Sequence, residues 1–188
     1  MTQTDILKYL ETHSRSILVL DFNGTLCTYR GNASYAALPE NTYMSESLAD
    51  GWHRFCTVPL QVVRFCRFAA ETIGPENIYV LSTISCNDEF FSEQAVLEKA
   101  GIGDDIIPKK NYVGVSSNQM KMVWLRDLRR RMGDRDPDDV VVFIDDTPDV
   151  LMSAQSNGCK TYHASELWAI DERICSLSSL MVRGQQNS

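Results

Sequence analysis

The chain reads as an α/β protein, a three-layer sandwich with a mostly parallel sheet and a small flap insertion. Ile17-Leu18-Val19-Leu20 is apolar throughout and runs into Asp21, and Val140-Val141-Val142-Phe143-Ile144 runs into Asp145-Asp146. Unbroken branched runs of this length describe strands buried on both faces, as a parallel sheet covered by helices requires. Strand-like and helix-like segments then alternate along the chain, with one long interruption after the first strand.

The elements follow in order. Ile6, Leu7 and Leu10 fall on one side of a leading helix over residues 3–13, and the first strand is 17–20. Residues 27–52, within an insert spanning 27–57, show no lasting period: Tyr29, Gly31, Asn32, Tyr35, Pro39, Asn41 and Tyr43 mix aromatics with turn formers. The segment reads as a flap, a loop excursion with a short helix near Ser45–Trp52, attached directly after Asp21–Thr25 and so hanging over that loop. A helix over 58–73 carries Leu60, Val63, Phe65 and Phe68 and is closed by Gly74-Pro75. Ile78-Tyr79-Val80-Leu81 is a second strand, ending in Ser82-Thr83. Phe90 to Ala100 is helical and stopped by Gly101, and residues 105–108 with 112–113 supply a short strand or its approach. Met122, Leu125, Leu128 and Met132 recur at helical spacing over 118–132, before Gly133. After the strand 140–144 come a short helix over 150–157, Gly158, and an edge strand Lys160-Thr161-Tyr162. Residues 1–182 make one domain by this reading, and 183–188, with no apolar anchor, form a disordered tail.

A chain of 188 residues, 44% hydrophobic, is the size of one ordinary domain with a sizeable core. Its formal charge of −7 argues against a broad basic surface for nucleic acid. The basic run Arg126 with Arg129-Arg130-Arg131 reads as a solvated helix face, with an anion or partner contact as the alternative. Six cysteines and three histidines are scattered without zinc-type spacing, and a chain this long needs no staples. The first residues lack a basic-then-apolar leader, and nothing approaches the roughly 20 apolar residues that span a bilayer. A cytoplasmic protein with reduced thiols, and no membrane partner, is the expectation.

Carboxylates at the ends of two interior strands suggest one acidic site, most simply a holder of a hard cation such as Mg²⁺. Gly24 and Thr25 follow Asp21 in a tight turn whose N–H groups can face an incoming anion. Ser82 and Thr83 end another strand, where a hydroxyl can donate to a phosphoryl oxygen. Lys121, in the first turn of a helix, can offset charge on carboxylate and substrate. Together these residues make a phosphoryl-transfer arrangement, in which the attacking Asp forms an aspartyl-phosphate later cleaved by water.

The order closely resembles that of the haloacid-dehalogenase-like hydrolase superfamily. The first family motif is Asp, any residue, Asp, Gly, Thr after the first core strand; here it stands as Asp21-Phe22-Asn23-Gly24-Thr25. The fourth, an acidic pair after a strand, stands as Ile144-Asp145-Asp146-Thr147-Pro148, with Gly158 downstream. The resemblance covers about residues 15–165 and implies a Rossmann-like core, Mg²⁺, and Asp21 as nucleophile. It implies that residue 23 offers its main-chain carbonyl to the metal and that Asp146 is the main carboxylate ligand, with Asp145 where many members have glycine. Ser82 fits the second motif, with Thr83 competing. Lys121 fits the third, ahead of Lys109 and Lys110.

Two departures matter. Asn23 stands where many family phosphatases carry the Asp that serves as general acid/base, a group typically worth about 100- to 10,000-fold in rate. Val150 occupies the place of the family's further acidic residue, leaving Asp149 either to substitute or to face solvent.

The insertion is too short for a large cap, so the site is expected to be open. It would admit a phosphorylated small molecule or a phosphoprotein, or be covered by a second copy in a homo-oligomer. Arg30 is a candidate contact for substrate phosphate. Tyr29, Tyr35, Tyr43 and Trp52 either wall the site or pack the insertion down. His53 has no evident partner, Cys27 reads as packing, and Cys86 and Asn87 are candidates to line the pocket. The expected activity is Mg²⁺-dependent phosphomonoester hydrolysis, slowed by Asn23. The alternative is a weak or inactive member that binds a phospholigand or protein in the same cleft.

Overall fold

The computed structural model of the protein describes residues 5–29, 42–44, 56–84, 87–132 and 140–170. In chain order the elements are α1 (Asp5–Thr12), β1 (Ile17–Leu20), β2 (Thr28–Tyr29), β3 (Thr42–Met44), β4 (Cys56–Pro59), α2 (Leu60–Ile73), β5 (Ile78–Thr83) and α3 (Asn87–Lys99). They continue with β6 (Tyr112–Val115), α4 (Asn118–Met132), β7 (Val141–Asp145), α5 (Pro148–Ser156), β8 (Lys160–His163) and α6 (Ala164–Trp168).

Five strands form one parallel sheet in the order β6-β5-β1-β7-β8. The two runs that end in carboxylate are therefore direct neighbours, with Leu20 of β1 opposite Ile144 of β7. Side chains alternate across the pleat, and here the alternation follows residue number. Odd positions (Val19, Leu81, Phe143) pack under α4 and α5 with Leu125, Leu128, Val150 and Ala154. Even positions (Leu20, Val80, Ile144) pack on the other face against α1, α2, α3 and α6. Burial on both faces is why these strands read as unbroken apolar runs.

The sequence expectations hold for each interior strand and differ at several boundaries. Helix α2 begins at Leu60, because Val58-Pro59 completes β4. Proline at the last strand position removes an N–H where the ladder ends. Residues 105–108 make no strand: Ile106 and Ile107 both donate to the Gly103 carbonyl in a turn. Helix α5 starts early, at Pro148, whose missing N–H costs nothing in the first turn.

The largest correction concerns the insertion. Its described part is an antiparallel sheet in the order β2-β4-β3, where a loop was expected. Strands this short show no readable alternation, and each is defined by its partner. The expected helix near Ser45–Trp52, the residues Arg30, Tyr35, His53 and Cys86, and the tail 183–188 lie outside the described residues. No described helix is long and apolar enough to cross a membrane.

Candidate functional site

Parallel pairing brings the carboxyl ends of β1 and β7 together, and each strand presents its acid just there. Asp21 and Asp145 share the odd-numbered face with Val19 and Phe143, so both turn toward α4. That helix places Lys121, Leu125 and Leu128 on its buried face, one turn apart along the stripe. Lys121 lies in the first turn, which Ser117 caps by accepting the Met120 N–H at 3.3 Å. The ammonium is thereby delivered to the acids: Lys121 Nζ lies 2.5 Å from Asp21 Oδ1 and 3.1 Å from Asp145 Oδ2. Lys121, Asp21 and Asp145 are each at least 96% buried.

Asp146, half-buried, completes the cluster. One carboxylate oxygen from each of Asp21, Asp145 and Asp146 lies within 4.8 Å of the other two. The Asp145 carboxylate accepts the Thr147 N–H at 2.9 Å, which folds the turn after β7 and holds the side chain. Asp146 accepts from the Thr147 hydroxyl at 3.2 Å. Its other oxygen lies against Gly24, where an added Cβ would stand 2.0 Å away. Gly24 also has φ +78°, a conformation that side chains resist. One glycine thus permits both the turn after β1 and the close approach of Asp146.

The electrostatics follow from crowding acids out of water. Burial pushes the Asp21 carboxyl up to about 7; Lys121 opposes the rise, and Asp145 and Asp146 add to it. Burial likewise raises Asp146, helped by the charge of Asp145. For Lys121, burial works downward, yet Asp21 and Asp145 overcome it and the net shift is upward. The short Asp21–Lys121 contact is a charge-assisted hydrogen bond, which offsets part of the rise at Asp21 without cancelling it. Three carboxylates against one ammonium leave an excess of negative charge. That excess, with ligand atoms that are all oxygen, fits a hard divalent cation.

Other residues singled out from the sequence have different surroundings. Pleat alternation sends Ser82 to the even-numbered face, away from Lys121 and the acids. Ser82 is 1% exposed, and its hydroxyl donates to Glu93 Oε1 of α3 at 2.6 Å. Thr83, half-buried on the odd-numbered face, donates to Asn118 Oδ1 of α4 at 3.2 Å. The structure therefore brings Thr83 to the site's layer and not Ser82. The N–H groups of Gly24 and Thr25 do not face an incoming anion. They are spent inside the turn, on the carbonyls of Cys27 and Phe22, while the Thr25 hydroxyl donates to Asp21 Oδ2 at 3.3 Å. Asn23 is half-buried and bridges Cys27 along the backbone. Asp149 is exposed and outside the carboxylate cluster. Lys109 and Lys110 precede β6, at the amino ends of the parallel strands and so away from the acids, and Lys109 lies 3.9 Å from Glu98. Cys27 is packed in the core.

Three further contacts escaped sequence reading, one on the far face of the sheet and two beside the acids. Glu93 was signalled only by sharing a helical stripe with Val96 and Leu97. His163 ends β8 opposite Asp145, and its Nε2 lies 3.0 Å from the Asp146 carbonyl oxygen. Trp168 donates its indole N–H to the Thr25 carbonyl at 3.1 Å. Nothing in the spacing of either residue announces these contacts.

No protein-family model matches the sequence. No curated protein matches it either. Among solved structures, the chain is similar to the HAD domain of the effector protein Lem4 from Legionella pneumophila, at 12% identity and a TM-score of 0.41, over 80% of this chain and 86% of that one. It is also similar to Fcp1, an essential RNA polymerase II CTD phosphatase, at 15% identity and a TM-score of 0.38, over 79% of this chain but only 42% of that one. Chemistry has to be read from the residues of this chain.

Proposed function

We propose that the protein is a haloacid-dehalogenase-like, Mg²⁺-dependent phosphomonoester hydrolase. The observation that carries this reading is Asp21, buried at the end of β1, touching Lys121 and sharing a 4.8 Å cluster with Asp145 and Asp146. Asp21, Asp145 and Asp146, with the main-chain carbonyl of residue 23, would hold the cation. Bound there, Mg²⁺ would supply the positive charge that lets an anionic carboxylate meet an anionic phosphate.

Asp21 attacks phosphorus, the bond to the ester oxygen breaks, and an aspartyl-phosphate forms. Water then attacks that phosphorus and frees Asp21 and inorganic phosphate. Lys121 holds the carboxylate in line and offsets phosphoryl charge. Thr83 is the hydroxyl offered to a phosphoryl oxygen, because it shares the face of Asp21 and Lys121. Thr25 orients the nucleophile through its hydroxyl, and Arg30 remains the candidate for substrate phosphate. Substrates are phosphorylated small molecules or phosphoproteins, and a second copy of the chain would be one way to cover an open site.

Asn23 supports a second reading, a weak or inactive phospholigand- or protein-binding member. An amide cannot give a proton to the leaving group, so turnover should favour esters whose leaving group needs none. Phosphate release from phosphorylated metabolites and phosphopeptides, with and without Mg²⁺, separates the two. Hydrolysis that needs Mg²⁺ and disappears in Asp21→Asn supports the enzyme. Activity unchanged in that variant removes Asp21 as nucleophile, and tight phospholigand binding without turnover favours the second reading. Asn23→Asp is expected to raise the rate, by up to about 100-fold if proton transfer is limiting.

A further inference from the structure

The turn after β1 and the turn after β7 must keep a fixed separation for their acids to share one cation, yet they lie far apart in sequence. Helix α6 joins them. At its start, His163 uses both ring nitrogens. Nδ1 accepts the Ser165 N–H at 3.2 Å and caps the helix, with the Glu166 carboxylate accepting the His163 N–H at 3.3 Å to complete a capping box. An accepting Nδ1 puts the ring proton on Nε2, which donates to the Asp146 carbonyl. The cap needs only the first nitrogen. At the helix's other end the buried Trp168 N–H reaches the Thr25 carbonyl, one residue from the glycine that Asp146 abuts. The contacts close a ring: Asp146 against Gly24, Thr25 to Trp168, through α6 to His163, and back to Asp146.

We propose that His163 and Trp168 are positioning residues: through α6 they set the spacing of the two acid-bearing turns and so the affinity of the carboxylate cluster for a divalent cation. This rests on the metal-site reading above. Groups that orient metal ligands without touching the ion typically account for about 10- to 100-fold in affinity. The two bonds go to the main chain of Thr25 and Asp146, so their loss would shift whole turns rather than single side chains.

Two substitutions separate positioning from helix capping and packing. Trp168→Phe keeps a buried ring and removes only the N–H. His163→Asn keeps a capping acceptor but cannot reach the Asp146 carbonyl, whereas His163→Gln keeps a donor at the Nε2 position and gives up the better cap. Calorimetric titration with Mg²⁺ alone, on the full chain, reads the effect without any substrate, and thermal midpoints in EDTA report the fold. The expected result is Mg²⁺ binding weakened about tenfold in Trp168→Phe and in His163→Asn, and nearly restored in His163→Gln. Equal affinities in all variants would overturn the positioning role, as would a loss in His163→Gln as large as in His163→Asn. Should Trp168→Phe not fold, the histidine pair decides alone. Wild-type protein that binds no Mg²⁺ would overturn the metal reading itself, a distinct outcome.

Discussion

Single side chains at this site are set by which way the pleat turns. Asp21 and the Asp145-Asp146 pair were legible because an acid at the end of an apolar run stands out whichever way it points. The choice between Ser82 and Thr83 was not. Adjacent strand residues face opposite layers, and the phase of one strand against another depends on pairing register, which no local pattern reveals. The two hydroxyls should now separate by experiment. Ser82→Ala removes a buried donor from the Glu93 carboxylate and is expected to cost about 1–3 kcal/mol of stability, with catalytic constants nearly unchanged. Thr83→Ala should leave the denaturation midpoint close to wild type and raise KM or lower kcat. Urea titration beside steady-state kinetics reads both effects, and the reverse pattern would favour Ser82 over Thr83 as the phosphoryl contact.

Among the elements, α4 was the most legible, since Leu125 and Leu128 mark its buried stripe and Lys121 lies on the same line. The packing that makes the helix also aims the lysine. Leu125→Ala, at a fully buried position, is expected to cost about 2–5 kcal/mol. It should also weaken the hold of Lys121 on Asp21, so activity should fall further than the folded fraction does. A loss explained wholly by unfolding would show that α4 does not position the lysine. The insertion was the least legible element. The strands β2, β3 and β4 are too short for periodicity to register, and β4 sits between partners distant in the chain. Helix α6 is only five residues long, so its role in joining two turns shows only once the sheet order is known.

Across the whole molecule, β1 is the central strand from which the chain winds first toward β6 and later toward β8. Ligands of open α/β sheets bind at such a switch point, beyond the carboxyl ends of the strands, and the acids of β1 and β7 are placed there. Gathering three carboxylates in one largely buried place has a consequence for stability. A carboxyl whose folded value rises from 3.8 to about 7 binds its proton more tightly folded than unfolded, so ionising Asp21 favours unfolding. Asp146 is shifted in the same direction. The rise at Lys121 contributes stability that is complete below 10.5 and lost only above it, and so does not reverse the trend. Protein in EDTA should therefore melt at a lower temperature at about pH 7.5 than at about pH 5, and Mg²⁺ should restore more at the higher pH. A midpoint that instead rises over that interval, with no response to Mg²⁺, would mean that these acids are not under strain.

Crystals soaked in Mn²⁺, which accepts the same oxygen ligands as Mg²⁺ and gives an anomalous signal, would show directly whether the tips of β1 and β7 hold one ion. A single anomalous peak is expected within about 2.0–2.3 Å of a carboxylate oxygen of Asp21 and of at least one of Asp145 and Asp146. At saturating Mn²⁺, a map with no peak between these carboxylates, or one bound to β7 alone, would contradict a shared metal site and the phosphatase chemistry built on it.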